Sequence, residues 1–209
     1  MGHSMTLTAP EYFMLTPAGA LHAFARQTPD ESESALQTLL TGERALDLEA
    51  WKAVNPQAAA VLAKALESSW VQPLQRPLRG PEARLDDFLQ HVIASLSGER
   101  RAVLASESGF CLGRAGVSQD EADVLCAAAA DYSEFAARQA RRGWDGAAHY
   151  VAFHKDAEFL LSSHAFMPFW VDGAGYWLII LGEPLLNNPA LVELMWGIKQ
   201  AGTRFGAMA

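Results

Sequence analysis

The chain has 209 residues and a mass of 22.7 kDa, room for one large domain or two small ones with a substantial core. Half of its residues are hydrophobic and 19% are charged, which excludes a disordered tail, a collagen-like fibre and a charge-rich coiled coil. The formal charge of -8 and a pI near 5.2 have the wrong sign for broad contact with phosphate backbones. Residues 1–80 carry 6 basic and 8 acidic side chains, so no basic module hides in the first part.

No apolar run approaches the roughly 18 residues of a bilayer span. The longest candidate, Tyr176 to Leu181, suits a buried strand, and a soluble protein is expected. Cys111 and Cys126 are too few for a disulfide scaffold and form no metal-ligand pattern, which fits a reducing cytoplasm. Each is expected to be inert core packing, Cys111 between Phe110 and Leu112 and Cys126 among alanines. Met1-Gly2-His3-Ser4 reads as an expression remnant ahead of Met5, with no signal peptide after it.

Short helices come first. Thr16-Pro17 supplies a cap and an N1 proline for a segment with Leu21 and Phe24. Thr28-Pro29-Asp30-Glu31 reads as a capping box with Thr28 at the cap and Glu31 at N3, opening a helix through Leu36 and Leu40 that Gly42 ends. Leu46, Leu48, Trp51 and Val54 suggest a third helix, Asn55-Pro56 caps a fourth, and Trp70-Val71 turns extended. That order suits a helix-turn-helix or degenerate winged-helix domain over residues 5–71. Gln72 to Pro81 holds three prolines and a glycine, so an exposed linker is expected over residues 72–83.

The remaining domain, residues 84–206, opens on the clearest periodicity in the chain. Leu85, Phe88, Leu89, Val92, Ile93 and Leu96 recur at helical spacing before Gly98. Ala102 to Ala105 and Phe110 to Leu112 flank the turn Ser106-Glu107-Ser108-Gly109 and predict a hairpin. Ser118 with Glu121 opens an alanine-rich helix of about 24 residues, long against a mean near 11. His149 to His154 and Phe159 to His164 read as a strand pair turning at Asp156-Ala157, and Gly175 to Leu181 as a central strand. Asn188-Pro189 caps a last helix that Gly202 ends.

From Arg84 to Gly206 this order resembles the Roadblock/LC7 family, including bacterial members that serve polarity GTPases. The residues carrying the likeness are the Leu85 to Leu96 helix, the strand, turn and strand of Arg101 to Phe110, the long helix, and Tyr176 to Leu181. The resemblance implies an α+β fold: a profilin-like five-stranded antiparallel sheet between helices, homodimerising through the long helix and the third strand of the sheet. It implies a scaffold or GTPase regulator without a catalytic centre, and a bacterial source. The helical first domain and the aromatic stretch Phe166 to Trp170 depart from the family pattern.

No GxSxG elbow, P-loop, HExxH or dinucleotide turn occurs, so no catalytic residue, metal site or cofactor is assigned. A turn at Asp156-Ala157 would set His149 opposite His164, close enough to share a metal, yet a third ligand is lacking and a solvated pair is the plainer reading. Arg138, Arg141 and Arg142 suit a solvated helix end, where cations meet the carbonyl end of the helix dipole. Leu125, Ala128, Tyr132, Phe135, Val151 and Phe153 are assigned to a dimer interface. Phe166, Phe169 and Trp170 form a connection, partly buried or anchoring a partner.

The expected function is a non-enzymatic cytoplasmic homodimer that scaffolds or regulates a small Ras-like GTPase, the first domain adding an interaction module. One alternative is a transcription regulator with DNA-binding N-terminal helices and a C-terminal dimerisation domain. Another is a small-molecule sensor whose sheet encloses a ligand. Lys64 as the sole base of the fourth helix argues against nucleic acid as a partner.

Overall fold

The structure, a computed structural model, describes residues 12–82, 85–144, 151–154 and 162–206, with side chains left undescribed at 85–87 and 203–206. The chain enters through strand β1 (Tyr12–Leu15), then helices α1 (Pro17–Ala23), α2 (Glu31–Gln37) continued by a 3-10 turn (Thr38–Leu40), α3 (Leu48–Val54) and α4 (Ala58–Glu67), and strand β2 (Val71–Leu74). β1 and β2 pair antiparallel, Tyr12 opposite Leu74 and Leu15 opposite Val71. The sequence does not announce β1, because Tyr12-Phe13-Met14-Leu15 is a short apolar run without alternation.

Local chemistry sets most of the helix starts. Thr16 accepts the Gly19 N–H at 3.0 Å, with Pro17 in the first turn. The cap of α2 is Asp30 rather than the expected Thr28: Asp30 accepts the Glu33 N–H and Glu33 accepts the Asp30 N–H, both at 2.8 Å. Both boxes fit the spacing, and tertiary packing selects the second by burying Glu33, whose carboxylate pairs with Arg26 at 2.9 Å. α4 likewise begins later than Asn55-Pro56, after a turn in which Asn55 Oδ1 accepts the Gln57 N–H at 2.9 Å.

The second part contains α5 (Leu85–Ala94), β3 (Arg101–Ser106), β4 (Cys111–Ala115), α6 (Gln119–Ala140), β5 (Val151–His154), β6 (Ser162–Val171), β7 (Ala174–Leu181) and α7 (Ala190–Gly206). Its five strands form one sheet of order β4-β3-β7-β6-β5, with every pairing antiparallel. This is the antiparallel sheet between helices that the resemblance implies, and the apolar β7 is its central strand. Ser118 caps α6 by accepting the Glu121 N–H at 3.2 Å, and Asn188 Oδ1 accepts the Ala190 N–H at the start of α7. α7 runs past the expected stop at Gly202 to Gly206.

Two sequence expectations fail in the β5–β6 pair. The aromatic stretch Phe166 to Trp170 is not a connection but lies within β6, hydrogen-bonded along β7 from Phe166 opposite Ile179 to Trp170 opposite Gly175. His164 faces Phe153 and not His149, which lies outside the described residues. The ladder runs from Val151 opposite Phe166 to Phe153 opposite His164, with a bulge between Phe153 and His154, and this register differs from the one a turn at Asp156-Ala157 would give. The intended turn at Asp156-Ala157 lies outside the described residues.

One large buried cluster runs through both parts of the chain. It joins Phe24, Leu39 and Trp51 to Leu104, Met167, Phe169, Leu178 and Ile180 of the sheet, with Leu194 and Trp196 of α7 between them. Trp196 Nε1 donates to Gly42 O at 2.8 Å and Gln200 Nε2 donates to the same oxygen at 3.0 Å. Trp170 N donates to Phe24 O at 3.1 Å, which ties β6 to the end of α1. In the stretch read as a linker, residues 75–79 face mainly solvent, yet their backbone is anchored: Ala45 N donates to Leu78 O and Gly80 N to Glu43 O, each at 2.8 Å. Gly80 is buried where a Cβ would meet the Trp196 ring at 2.7 Å.

Candidate protein-interaction surface

The two faces of the sheet are covered unequally. α5, α7 and the N-terminal layer close one face, while among the described elements α6 alone lies on the other. α6 packs on β3 and β4. Its inner line, Ala122, Leu125, Cys126 and Ala129, is buried against Val103, Ala105, Phe166 and Ile179. Arg101 pins the first turn of α6 through Glu121 at 2.6 Å, and Arg114 holds the approach by donating to Val117 O at 2.7 Å and to Gln119 Oε1 at 3.1 Å.

Toward its C-terminal end α6 meets the β5 side of the sheet through aromatic side chains. Tyr132 is the hub, with ring centroids 5.0 Å from Phe166, 6.0 Å from Phe153 and 6.1 Å from Trp177. The edge-to-face contact with Phe166 and the tilted one with Trp177 bring a positive ring edge toward a neighbour's negative face, while Phe153 stacks on Tyr132. Trp177 Nε1 donates to Ser133 Oγ at 2.7 Å, which satisfies the indole under the helix. Burial first, and the nearby Asp131 charge second, push the Tyr132 hydroxyl above the ordinary tyrosine range, so it stays neutral and apolar contacts dominate.

Beyond this hub lies uncovered apolar surface. Phe153 is 43% exposed on β5, Phe135 is 39% exposed and stacks edge-on with Trp144, itself 56% exposed, and Val124 is 70% exposed. β5 is an edge strand, so the outer side of its backbone has no partner among the described strands. Val124, Ala128, Asp131 and Phe135 stand at i, i+4, i+7 and i+11, one stripe along the outside of the helix.

The six residues assigned to a dimer interface therefore divide. Phe135 and Phe153 present open apolar surface, Ala128, Tyr132 and Val151 are half-buried, and Leu125 is buried beneath the helix. Leu125 and Tyr132 are seven residues apart and share the inward line, whereas Phe135 belongs with Val124. Val124 and Trp144 were not singled out from the sequence; the i+11 spacing to Phe135 is the signal for the first, and Trp144 carries none because it follows the helix. Phe166 and Phe169 are buried on opposite faces of β6, and of the aromatic trio only Trp170 keeps partial exposure. At the end of α6, Arg138 reaches Glu134 and Arg142 reaches Gln139, each at 3.4 Å, as a solvated helix end would.

Among the described residues no cluster of three or more His, Cys, Asp or Glu is placed to hold a metal. No helix of the described residues is long and apolar enough to cross a membrane. The cleft between α6 and the β6–β7 end, lined by Trp170, Trp177, Gly175 and Ala137, has a volume of about 170 Å³. That is below the roughly 300–1,000 Å³ of a typical small-molecule site, whereas two other hollows, one lined by Glu99, Arg101, Glu121 and His164 and one by Ser106, Glu107, Ser133 and Gly175, each reach about 620 Å³.

Sheet order, flanking helices and aromatic edge together define an α+β protein with one face of its sheet partly open. No protein-family model matches the chain, and no curated protein does. Among solved structures it is similar to the crystal structure of a Roadblock/LC7 domain from Streptomyces avermitilis, at 18% identity over 61% of this chain and 100% of that one, with a TM-score of 0.34.

Proposed function

We propose that the chain is a non-enzymatic interaction module that pairs with a second copy through the outer stripe of α6 and the edge of β5, and that the pair scaffolds or regulates a small Ras-like GTPase. The observation carrying the pairing is the uncovered apolar surface of Phe153 on an open strand edge and of Val124, Phe135 and Trp144 on and just after α6. Two such edges brought together antiparallel would complete each other's backbone hydrogen bonds and bury the stripe in one step. The GTPase partner rests on the family resemblance of the sequence and adds no catalytic group from this chain, so regulation would act by holding one nucleotide state of the partner. The N-terminal layer is a firm platform in this reading, since it shares its core with α7.

The DNA-reading alternative gains no support from the structure. Lys64 of α4 lies over the Trp70 ring, 5.5 Å from its centroid, and is directed to the protein's own surface.

Light scattering across a micromolar concentration range tests the pairing. A mass about twice 22.7 kDa is expected, and a mass of 22.7 kDa throughout would remove it. Pull-down with the host's small GTPases, loaded with GDP or a GTP analogue, tests the partner. Binding that depends on the nucleotide supports regulation, and no binding in either state leaves a generic scaffold.

A further inference from the structure

The chain's two cysteines, fifteen residues apart in sequence, lie at one interface between sheet and helix. Cys111 stands opposite Ala105 in the β3–β4 ladder, and Ala105 belongs to the buried cluster that also contains Cys126 of α6. Cys111 therefore shares the α6 side of the sheet and packs against that cluster. The turn before it is pressed onto the helix at the same place. Gly109 has φ +85°, and a Cβ there would stand 3.0 Å from the Cys126 carbonyl oxygen. Only glycine permits both that conformation and that approach.

Both sulfurs belong to the interface between sheet and α6, Cys126 within its buried cluster and Cys111 packed against that cluster, and Cys111 Sγ lies 3.8 Å from Gly113 O. Cys126 is buried and Cys111 only half-buried, so a reagent in solution reaches Cys111 first. Burial, followed by the adjoining Cys111 sulfur, pushes the Cys126 thiol up to about 12, which keeps it protonated while the pair is reduced.

We propose that Cys111 and Cys126 are a thiol–disulfide site, oxidised by a low-molecular-weight disulfide to a covalent tie between edge strand β4 and helix α6. The Cys111 thiolate attacks one sulfur of the oxidant, forming a mixed disulfide and releasing one small thiolate. The Cys126 sulfur then attacks the Cys111 sulfur as its proton passes to the departing small thiolate, closing the protein disulfide and releasing the second small thiol. The two cysteine protons end on the two released thiols, and the oxidant takes up the two electrons. The inference is independent of the pairing and GTPase readings, since it rests on two residues of one chain.

The full-length protein, titrated with oxidised glutathione, tests it. The expected product has lost both free thiols, carries no glutathione, remains a single chain on non-reducing gels and yields a Cys111–Cys126 cross-linked peptide. Its Tm should rise by several degrees, because closing a loop of this length restricts the unfolded chain. The Cys126→Ala variant should stop as a glutathione adduct on Cys111. Circular dichroism confirms that it is folded, and peptide mapping of the wild type tests the proposal even if it is not. An adduct persisting on wild-type Cys111 with Cys126 free, a Cys111–Cys111 link between chains, or no reaction would each overturn the proposal.

Discussion

The two faces of the five-stranded sheet are made of the same strands and finished in different ways. One carries Leu104, Met167, Phe169, Leu178 and Ile180 and is sealed by two helices and the N-terminal layer, with Trp51 and Trp196 buried behind it. The other carries Val103, Phe166, Trp177 and Ile179 and is covered among the described elements by α6 alone, whose aromatic contacts thin out into exposed Phe153 and Phe135. A face closed by its own chain has no apolar surface left to offer. A face closed by one helix beside an open strand edge retains some, and that is where association would bury the most at the smallest cost in rearrangement.

The largest expected effect tests whether the sealed face is one core. Trp51 is fully buried, and its Nε1 donates to Ala35 O and Thr38 Oγ, each at 3.0 Å. Trp51→Ala should cost about 3–5 kcal/mol by urea denaturation, with the wild type unfolding in one transition. Two transitions, with only the first moved by the substitution, would show that the N-terminal layer folds separately.

Alkaline titration probes the α6 face. Cys126 keeps its proton in the folded state well above the ordinary thiol value, so the folded state binds more protons than the unfolded one between about pH 9 and 12. Its contribution is therefore fully present below pH 9 and lost as pH rises, with a slope of at most ~1.4 kcal/mol per unit. Tyr132 and Tyr176, both raised chiefly by burial, act in the same direction at higher pH. Urea midpoints measured from pH 8 to 10.5 should fall for the wild type and fall less for Cys126→Ala, and equal slopes would contradict the assignment.

Charge on the outer stripe should separate association from folding. Val124→Glu and Phe135→Glu alter exposed side chains, so urea stability should change by about 0.5 kcal/mol or less, while the dimer dissociation constant rises at least ~10-fold. Sedimentation equilibrium reads the second quantity, and an unchanged constant in both variants would move the interface elsewhere. The smallest effect belongs to the Arg101–Glu121 pair, which is partly exposed on both sides. Arg101→Gln should cost less than ~1 kcal/mol and the cost should shrink in high salt, whereas a loss of several kcal/mol would make this contact the main anchor of α6.

Sequence by itself determined what depends on neighbours within a few residues. The α5 periodicity, the Thr16, Ser118 and Asn188 caps, the Ser106 to Gly109 turn and the apolar central strand are all legible, because helix ends and tight turns satisfy backbone groups locally. The stripe on α6 was half legible: its composition marked the helix, but sorting Leu125 from Phe135 needed the direction in which the sheet lies. Tertiary structure alone decided the rest. It paired β1 with β2 across more than fifty residues, set His164 opposite Phe153, joined Trp196 to Gly42, and brought Cys111 to the cluster that holds Cys126. Those contacts close long loops, and which of many similar apolar segments meet is settled by how the whole core packs, a quantity that no local window of sequence contains.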